Sequence, residues 1–109
     1  MKAYINGELF VDKIILADKF KTRLVGLLNR SSLNEGEGLL LKNCSSIHCF
    51  FMKFTIDVIY LSKDMQILYI ETVKPWGVGK LVKNCAHVLE ISEGTANDIS
   101  VGDFIEFLE

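Results

Sequence analysis

Apolar residues along this chain come in short runs cut apart by turn signals, and only one stretch carries helical spacing. Gly38–Lys42, Ile56–Leu61, Gln66–Val73, His87–Ser92 and Phe104–Leu108 each hold several branched or aromatic residues over a strand-sized length. Asn6-Gly7 is a two-residue hairpin signal between Lys2–Asn6 and the apolar-rich Glu8–Ala17, read as its return strand. Ser62-Lys63-Asp64-Met65 turns one run back on the next, and Glu93–Ser100 reads as a turn region. The exception is Phe20, Leu24, Leu27 and Leu28, spaced as one helical face behind Asp18 at an N-cap position. That spacing predicts a helix over Lys19–Asn29. Strands that do not alternate with helices argue against a βαβ parallel sheet. The expected fold is mainly β (α+β): a small antiparallel barrel-like sandwich of about seven short strands with one short helix near residues 19–29.

Length and composition fit that expectation. A chain of 109 residues makes one domain, 1–109, and half of it is hydrophobic, enough for one core. A charged fraction of 24% and a single proline argue against disorder. The formal net charge of −2 argues against a general binder of nucleic acid or of anionic membranes, which needs a basic surplus. The N-terminal stretch lacks the apolar core of a secretory signal, and no apolar run approaches the ~20 residues of a spanning helix. A soluble, cytoplasmic protein without membrane insertion is expected, a monomer or weak dimer. Its three cysteines, Cys44, Cys49 and Cys85, are an odd count that suits reduced thiols better than a disulfide framework.

Five ordered segments together resemble a known family. Arg23-Leu24-Val25-Gly26-Leu27-Leu28-Asn29-Arg30 is similar to its R..GLM.R signature, with Glu37-Gly38-Leu39-Leu40 following at the matching distance. Ile47-His48-Cys49-Phe50-Phe51-Met52-Lys53-Phe54-Thr55-Ile56-Asp57 is similar to its HTFFM(K/R)..ID core. Val88-Leu89-Glu90-Ile91-Ser92-Glu93-Gly94 resembles VLE...G, and Gly102-Asp103 the closing GD. The family is domain-of-unknown-function family 192. The resemblance runs from about Ala17 to Phe104, with Leu28 at a usual Met position and Cys49 at a common Thr position. It implies a mainly β barrel-like sandwich with a short helix, and no particular reaction. Relatives often carry an export signal or lipoprotein anchor; neither is visible here.

The segment His48–Asp57 holds the densest chemistry. On an extended strand His48, Phe50 and Met52 face one side, and Cys49, Phe51 and Lys53 the other. Polar groups in an apolar frame are costly unless paired. A binding pocket at one barrel end would therefore gather His48, Met52, Lys53, Asp57, Trp76 and Glu90, with Trp76 as a lid. The alternative makes the same charges internal braces, with Lys53 or Arg23 on Asp57 or Glu90, and Asp103 as a further ion-pair candidate or a turn residue after Gly102. Cys44, His48, Cys49, Cys85 and His87 are the weak metal candidates, because Cys-x3-His-Cys and Cys-x-His match no usual zinc knuckle. No metal or cofactor is expected. A Cys49 nucleophile with a histidine base is disfavoured for His48, since adjacent strand residues point apart.

Gly77-Val78-Gly79-Lys80 fails as a phosphate loop, with the wrong glycine spacing and Leu81 where a hydroxyl is needed. Lys74, Lys80 and Lys83 with Trp76 still make a local patch for an anionic ligand or partner. Three functions follow. The first is a non-catalytic binding or accessory module for a small polar molecule or peptide, with no nucleic acid. The second is a small hydrolase or transferase using His48 with Asp57 or Glu90. The third is a structural or interaction protein whose charges only brace the barrel.

Overall fold

The computed structural model describes residues 1–17, 33–45 and 54–109. The helix expected at 19–29 lies outside them. The described residues form eight strands: β1 (Lys2–Ile5), β2 (Glu8–Val11), β3 (Lys13–Ala17), β4 (Glu37–Lys42), β5 (Ile56–Leu61), β6 (Ile67–Val73), β7 (His87–Ser92) and β8 (Ile105–Leu108). A 3-10 turn, Thr95–Asp98, is the helical element among them. The strands make a three-stranded sheet in the order β2-β1-β8 and a five-stranded sheet in the order β3-β4-β7-β5-β6. The architecture is thus a mainly β, two-sheet sandwich and not a closed barrel.

The Asn6-Gly7 hairpin forms as the sequence requires. Asn6 and Gly7 have φ of 53° and 80°, the left-handed pair that joins β1 to β2 in a tight turn. Two expectations need correcting. Glu8–Ala17 is not one return strand: the chain breaks at Asp12, so β2 stays with β1 while β3 crosses to the large sheet. Gly36 fixes the corner, its carbonyl accepting Asp12 N–H at 3.2 Å and Lys13 N–H at 2.9 Å. The sandwich is also not purely antiparallel. β3 pairs with β4 in parallel, Ile14 against Gly38 and Leu16 against Leu40. A parallel pair needs a crossover of a dozen or more residues, and the chain between Ala17 and Glu37 is long enough to supply it.

Both faces of the large sheet carry apolar side chains. One packs towards the small sheet, where Leu40, Ile59, Leu61, Leu89 and Ile91 join Ala3, Ile5, Val11 and Ile105. The opposite face gathers Leu39, Leu41, Ile56, Val58, Tyr60, Val73 and Val88, with Leu33 and the half-buried Phe54, Val82 and Cys85 against them. The interior strands β5 and β7 are buried almost along their whole length, as their continuous apolar runs demand. The two sheets are tied where Gly102 N–H reaches Ile67 O at 2.8 Å and Ile105 N–H reaches Met65 O at 2.9 Å, and where Ile14 N–H reaches Met1 O at 2.9 Å.

Candidate functional site

Alternation along β5 and β7 decides which of the embedded charges share a face. Asp57 is paired with Ile91 and Thr72, so it points to the side of Ile59 and Leu61, towards the small sheet. Glu90 is paired with Leu39 and Val58, so it points the other way. The sheet lies between these two carboxylates, and they do not line one pocket.

Asp57 is 3% exposed, and both of its oxygens are hydrogen-bonded. Oδ1 accepts the Thr72 hydroxyl at 2.8 Å; Oδ2 accepts the backbone N–H of Gly94 at 2.9 Å and of Ala96 at 3.1 Å. It therefore fastens the turn after β7 to the middle of the sheet. Gly94 accepts the φ of 90° that this turn requires. Asp57 holds the fold by this route instead of facing an open cavity.

Glu90 contrasts at every point. It is 6% exposed, lies between Leu39 and Val58 and follows Val88 on its own face. Among the described residues no donor hydrogen-bonds its carboxylate. Burial alone pushes the carboxyl up to about 7. The same cross-strand row continues from Val58 to Glu71 on β6, two strands from Glu90 and so about 10 Å away between backbones. Glu71 is half-buried, and its Oε2 accepts the Tyr60 hydroxyl at 2.5 Å and Lys80 N–H at 2.8 Å. Desolvation, then the Glu71 carboxylate, hold the Tyr60 hydroxyl far above the ordinary tyrosine range. The Tyr60 and Tyr69 rings pack with centroids 5.9 Å apart, and Lys80 Nζ stands 4.8 Å over Tyr69.

This face thus carries a polar strip of Glu90, Glu71, Tyr60, Tyr69 and Lys80. Sequence reasoning named Glu90 and Lys80 but not Glu71, Tyr60 or Tyr69. The reason is a β-bulge: Tyr60 opposes Tyr69 while Leu61 opposes Ile67, so the face of Tyr69, Glu71 and Val73 shifts by one residue within the strand. Simple alternation from Ile67 sends Glu71 to the face of Leu61 and Ile59, the wrong side of the sheet.

The remaining candidates separate. His48, Met52, Lys53, Cys49 and Arg23 lie outside the described residues. Trp76 is 58% exposed on the loop 74–84. Asp103 serves a turn, with its N–H on Ser100 O at 3.2 Å and its carbonyl accepting Ile67 N–H at 2.8 Å. His87 is buried at the end of β7, where Nδ1 accepts Asn43 N–H at 3.1 Å, which leaves the ring proton on Nε2. Burial and Lys42 hold its imidazole below the usual range. The Cys85 thiol points at His87 O at 3.3 Å and Cys44 O at 3.9 Å, and burial pushes it up, which makes it a poor nucleophile. Cys44 and Cys85 both pack against the Glu90-side core. No cluster of three metal-ligating side chains forms among the described residues. A shallow cleft of about 760 Å³ opens instead beside the small sheet, lined by Tyr4, Asn6, Asp64, Phe104 and Phe107, and it contains none of the sequence-derived candidates.

The family model for DUF192, "Uncharacterized ACR", matches residues 2–107. The chain belongs to this family. It is 30% identical to the UPF0127 protein of Pyrococcus abyssi in an alignment of 104 positions that covers 88% of this chain and 86% of that one. It is 30% identical to the UPF0127 protein of Thermococcus kodakarensis, covering 94% of this chain and 69% of the relative. A solved structure of a protein of unknown function from Novosphingobium aromaticivorans superimposes with a TM-score of 0.81 at 21% identity, over 97% of this DUF192 chain and 84% of the other. A Sinorhizobium meliloti protein described as a candidate transcription regulator superimposes with a TM-score of 0.80 at 20% identity, over 96% and 91%. These two likenesses concern the fold alone.

Proposed function

We propose that this DUF192 chain is a non-catalytic binding module that holds a small polar ligand, or the polar end of a peptide, on the Glu90 face of its large sheet. The observation that carries the reading is the Glu90 carboxylate itself. Its burial raises the carboxyl without any hydrogen bond from the described residues, and a desolvated, perturbed carboxylate is a candidate for a binding site. A ligand N–H or ammonium group is the missing complement, and apolar Leu39 and Val58 flank it on either side. Glu71, Tyr60 and Lys80 offer further polar contacts along the same face. His48, Met52 and Lys53 belong to this proposal as further contacts; Asp57 does not, because its oxygens are already taken.

The test is a thermal-shift screen with a panel of primary amines, guanidines and amides. A ligand at a hundred times its Kd adds about 2.7 kcal/mol, which is several degrees for a domain of this size. At least one compound is expected to raise the melting temperature of the wild type and not of Glu90→Gln. A panel without effect, or one that stabilises both proteins equally, sinks the proposal.

One observation favours a second reading. A carboxyl near 7 is poised for general acid–base work at neutral pH. A hydrolase or transferase using His48 with Glu90 would show activity that follows a group titrating near 7 and vanishes in Glu90→Gln.

A further inference from the structure

Three of the most exposed large apolar side chains fall within six residues: Trp76 at 58%, Val78 at 68% and Leu81 at 80%. Lys74, Lys80 and Lys83 alternate with them, all exposed, and no acidic residue occurs between positions 74 and 84. The segment carries +3 in a chain of net −2, leaving the remainder at −5.

The loop is held in shape. Gly77 N–H bonds Lys74 O at 2.8 Å, and any Cβ at Gly77 would stand 2.8 Å from that carbonyl and 2.9 Å from Val73 Cγ1. Trp76 itself takes a φ of 66°. Lys80 N–H is fixed on Glu71, the acidic side chain that touches the loop, and Val82 packs on the core before Cys85 N–H closes a turn on Val82 O at 3.3 Å. Val78 and Leu81 are therefore displayed by an anchored backbone, and Trp76 keeps more than half of its surface exposed beside them.

We propose that this loop docks the protein onto an anionic lipid bilayer surface. Tryptophan and lysine are the residues that settle at headgroup depth, the first by its amphipathic ring and the second by attraction to acidic lipid. Val78 and Leu81 are solvated widely enough to enter the headgroup–acyl boundary, a medium that surrounds a side chain where a flat protein face covers only one side. The acidic remainder is repelled by the same surface, so the loop meets it first. No helix among the described residues is long and apolar enough to cross a membrane, and this attachment is peripheral and reversible.

Trp76 is the single tryptophan, so it reports its own environment. The full chain is mixed with vesicles of phosphatidylcholine plus phosphatidylserine, with phosphatidylcholine vesicles alone, and with polyglutamate. Co-sedimentation with the anionic vesicles and a blue shift of tryptophan emission are expected, both weakened by salt. Lys74→Gln and Lys83→Gln each raise the half-saturating lipid concentration about fivefold, following the ~1 kcal/mol carried by each lysine at such a surface. Trp76→Ala weakens sedimentation while the melting curve stays that of a folded protein. Unshifted emission with no sedimentation overturns the proposal, as does equal binding to neutral vesicles. A shift with polyglutamate and none with vesicles also overturns it and makes the patch a site for an acidic polypeptide.

Discussion

Asp57 and Glu90 are both carboxylates buried in the middle of one sheet, on adjacent strands, yet they do opposite things. Asp57 faces the small sheet and receives three hydrogen bonds, two of them from backbone N–H groups, of which that of Ala96 is buried. Glu90 faces the other way, between leucine and valine, with no donor among the described residues and a carboxyl pushed up to about 7. Burial is the same; satisfaction is not. A buried charge that ties down a turn is part of the fold, whereas one that receives no such bond from the described residues carries a desolvation cost that a bound donor would lower.

The largest effect should come from the satisfied carboxylate. Asp57→Ala leaves the buried Ala96 N–H unpaired, at about 1–3 kcal/mol, and removes the bonds to the more exposed Gly94 N–H and Thr72 hydroxyl, at about 1 kcal/mol each, so a loss of roughly 4 kcal/mol is expected in urea unfolding. A loss under 1 kcal/mol would mean that the turn holds without Asp57 and would erase the contrast with Glu90.

Glu90→Gln should act in the other direction. The folded carboxyl is raised from an ordinary value of 4.5, so the wild type binds more protons folded than unfolded between about pH 4.5 and 7. Its stability is fully present below 4.5, falls as pH rises towards 7 and stays low above. The glutamine variant lacks that decline and should exceed the wild type by about 3 kcal/mol at pH 8 while matching it near pH 4. His87, held below its usual range, contributes the opposite slope in both proteins below pH 6.5, so the difference between the two curves isolates Glu90. A glutamine variant less stable at pH 8 would show that Glu90 is paired after all.

The smallest effect sharpens the edge of the polar strip. Tyr60→Phe removes one half-buried hydrogen bond to Glu71, which keeps Lys80 N–H, and should cost about 1 kcal/mol in the same unfolding experiment. A cost beyond 3 kcal/mol would make Tyr60 and Glu71 a brace of the Asp57 kind.

Most of the strands were legible because short apolar runs and turn residues are local signals. His87–Ser92 is β7 to the residue, and Asn6-Gly7 makes its hairpin. The break at Asp12 was read through, since Asp12-Lys13 is a short interruption between two apolar runs and carries no glycine or proline, and the different partners of β2 and β3 leave no local signal. The parallel pairing of β3 with β4 escaped for the same reason. At the site, composition and burial flagged both Asp57 and Glu90 as charges in apolar frames. Their faces depend on register across three strands, which residue counting cannot carry through loops, and the bulge opposite Tyr60 hid Glu71. The capping of the β7 turn by Asp57 leaves no local signal either, because its partners are backbone groups 37 and 39 positions away.

The most direct measurement is the carboxyl carbon of Glu90 followed by site-resolved NMR from pH 3 to 9 on the ligand-free protein. A midpoint near 7 is expected, with Glu90→Gln identifying the resonance by its loss. A midpoint at or below the ordinary glutamate value would mean that a donor already holds the carboxylate, and the distinction drawn between Glu90 and Asp57 would be wrong.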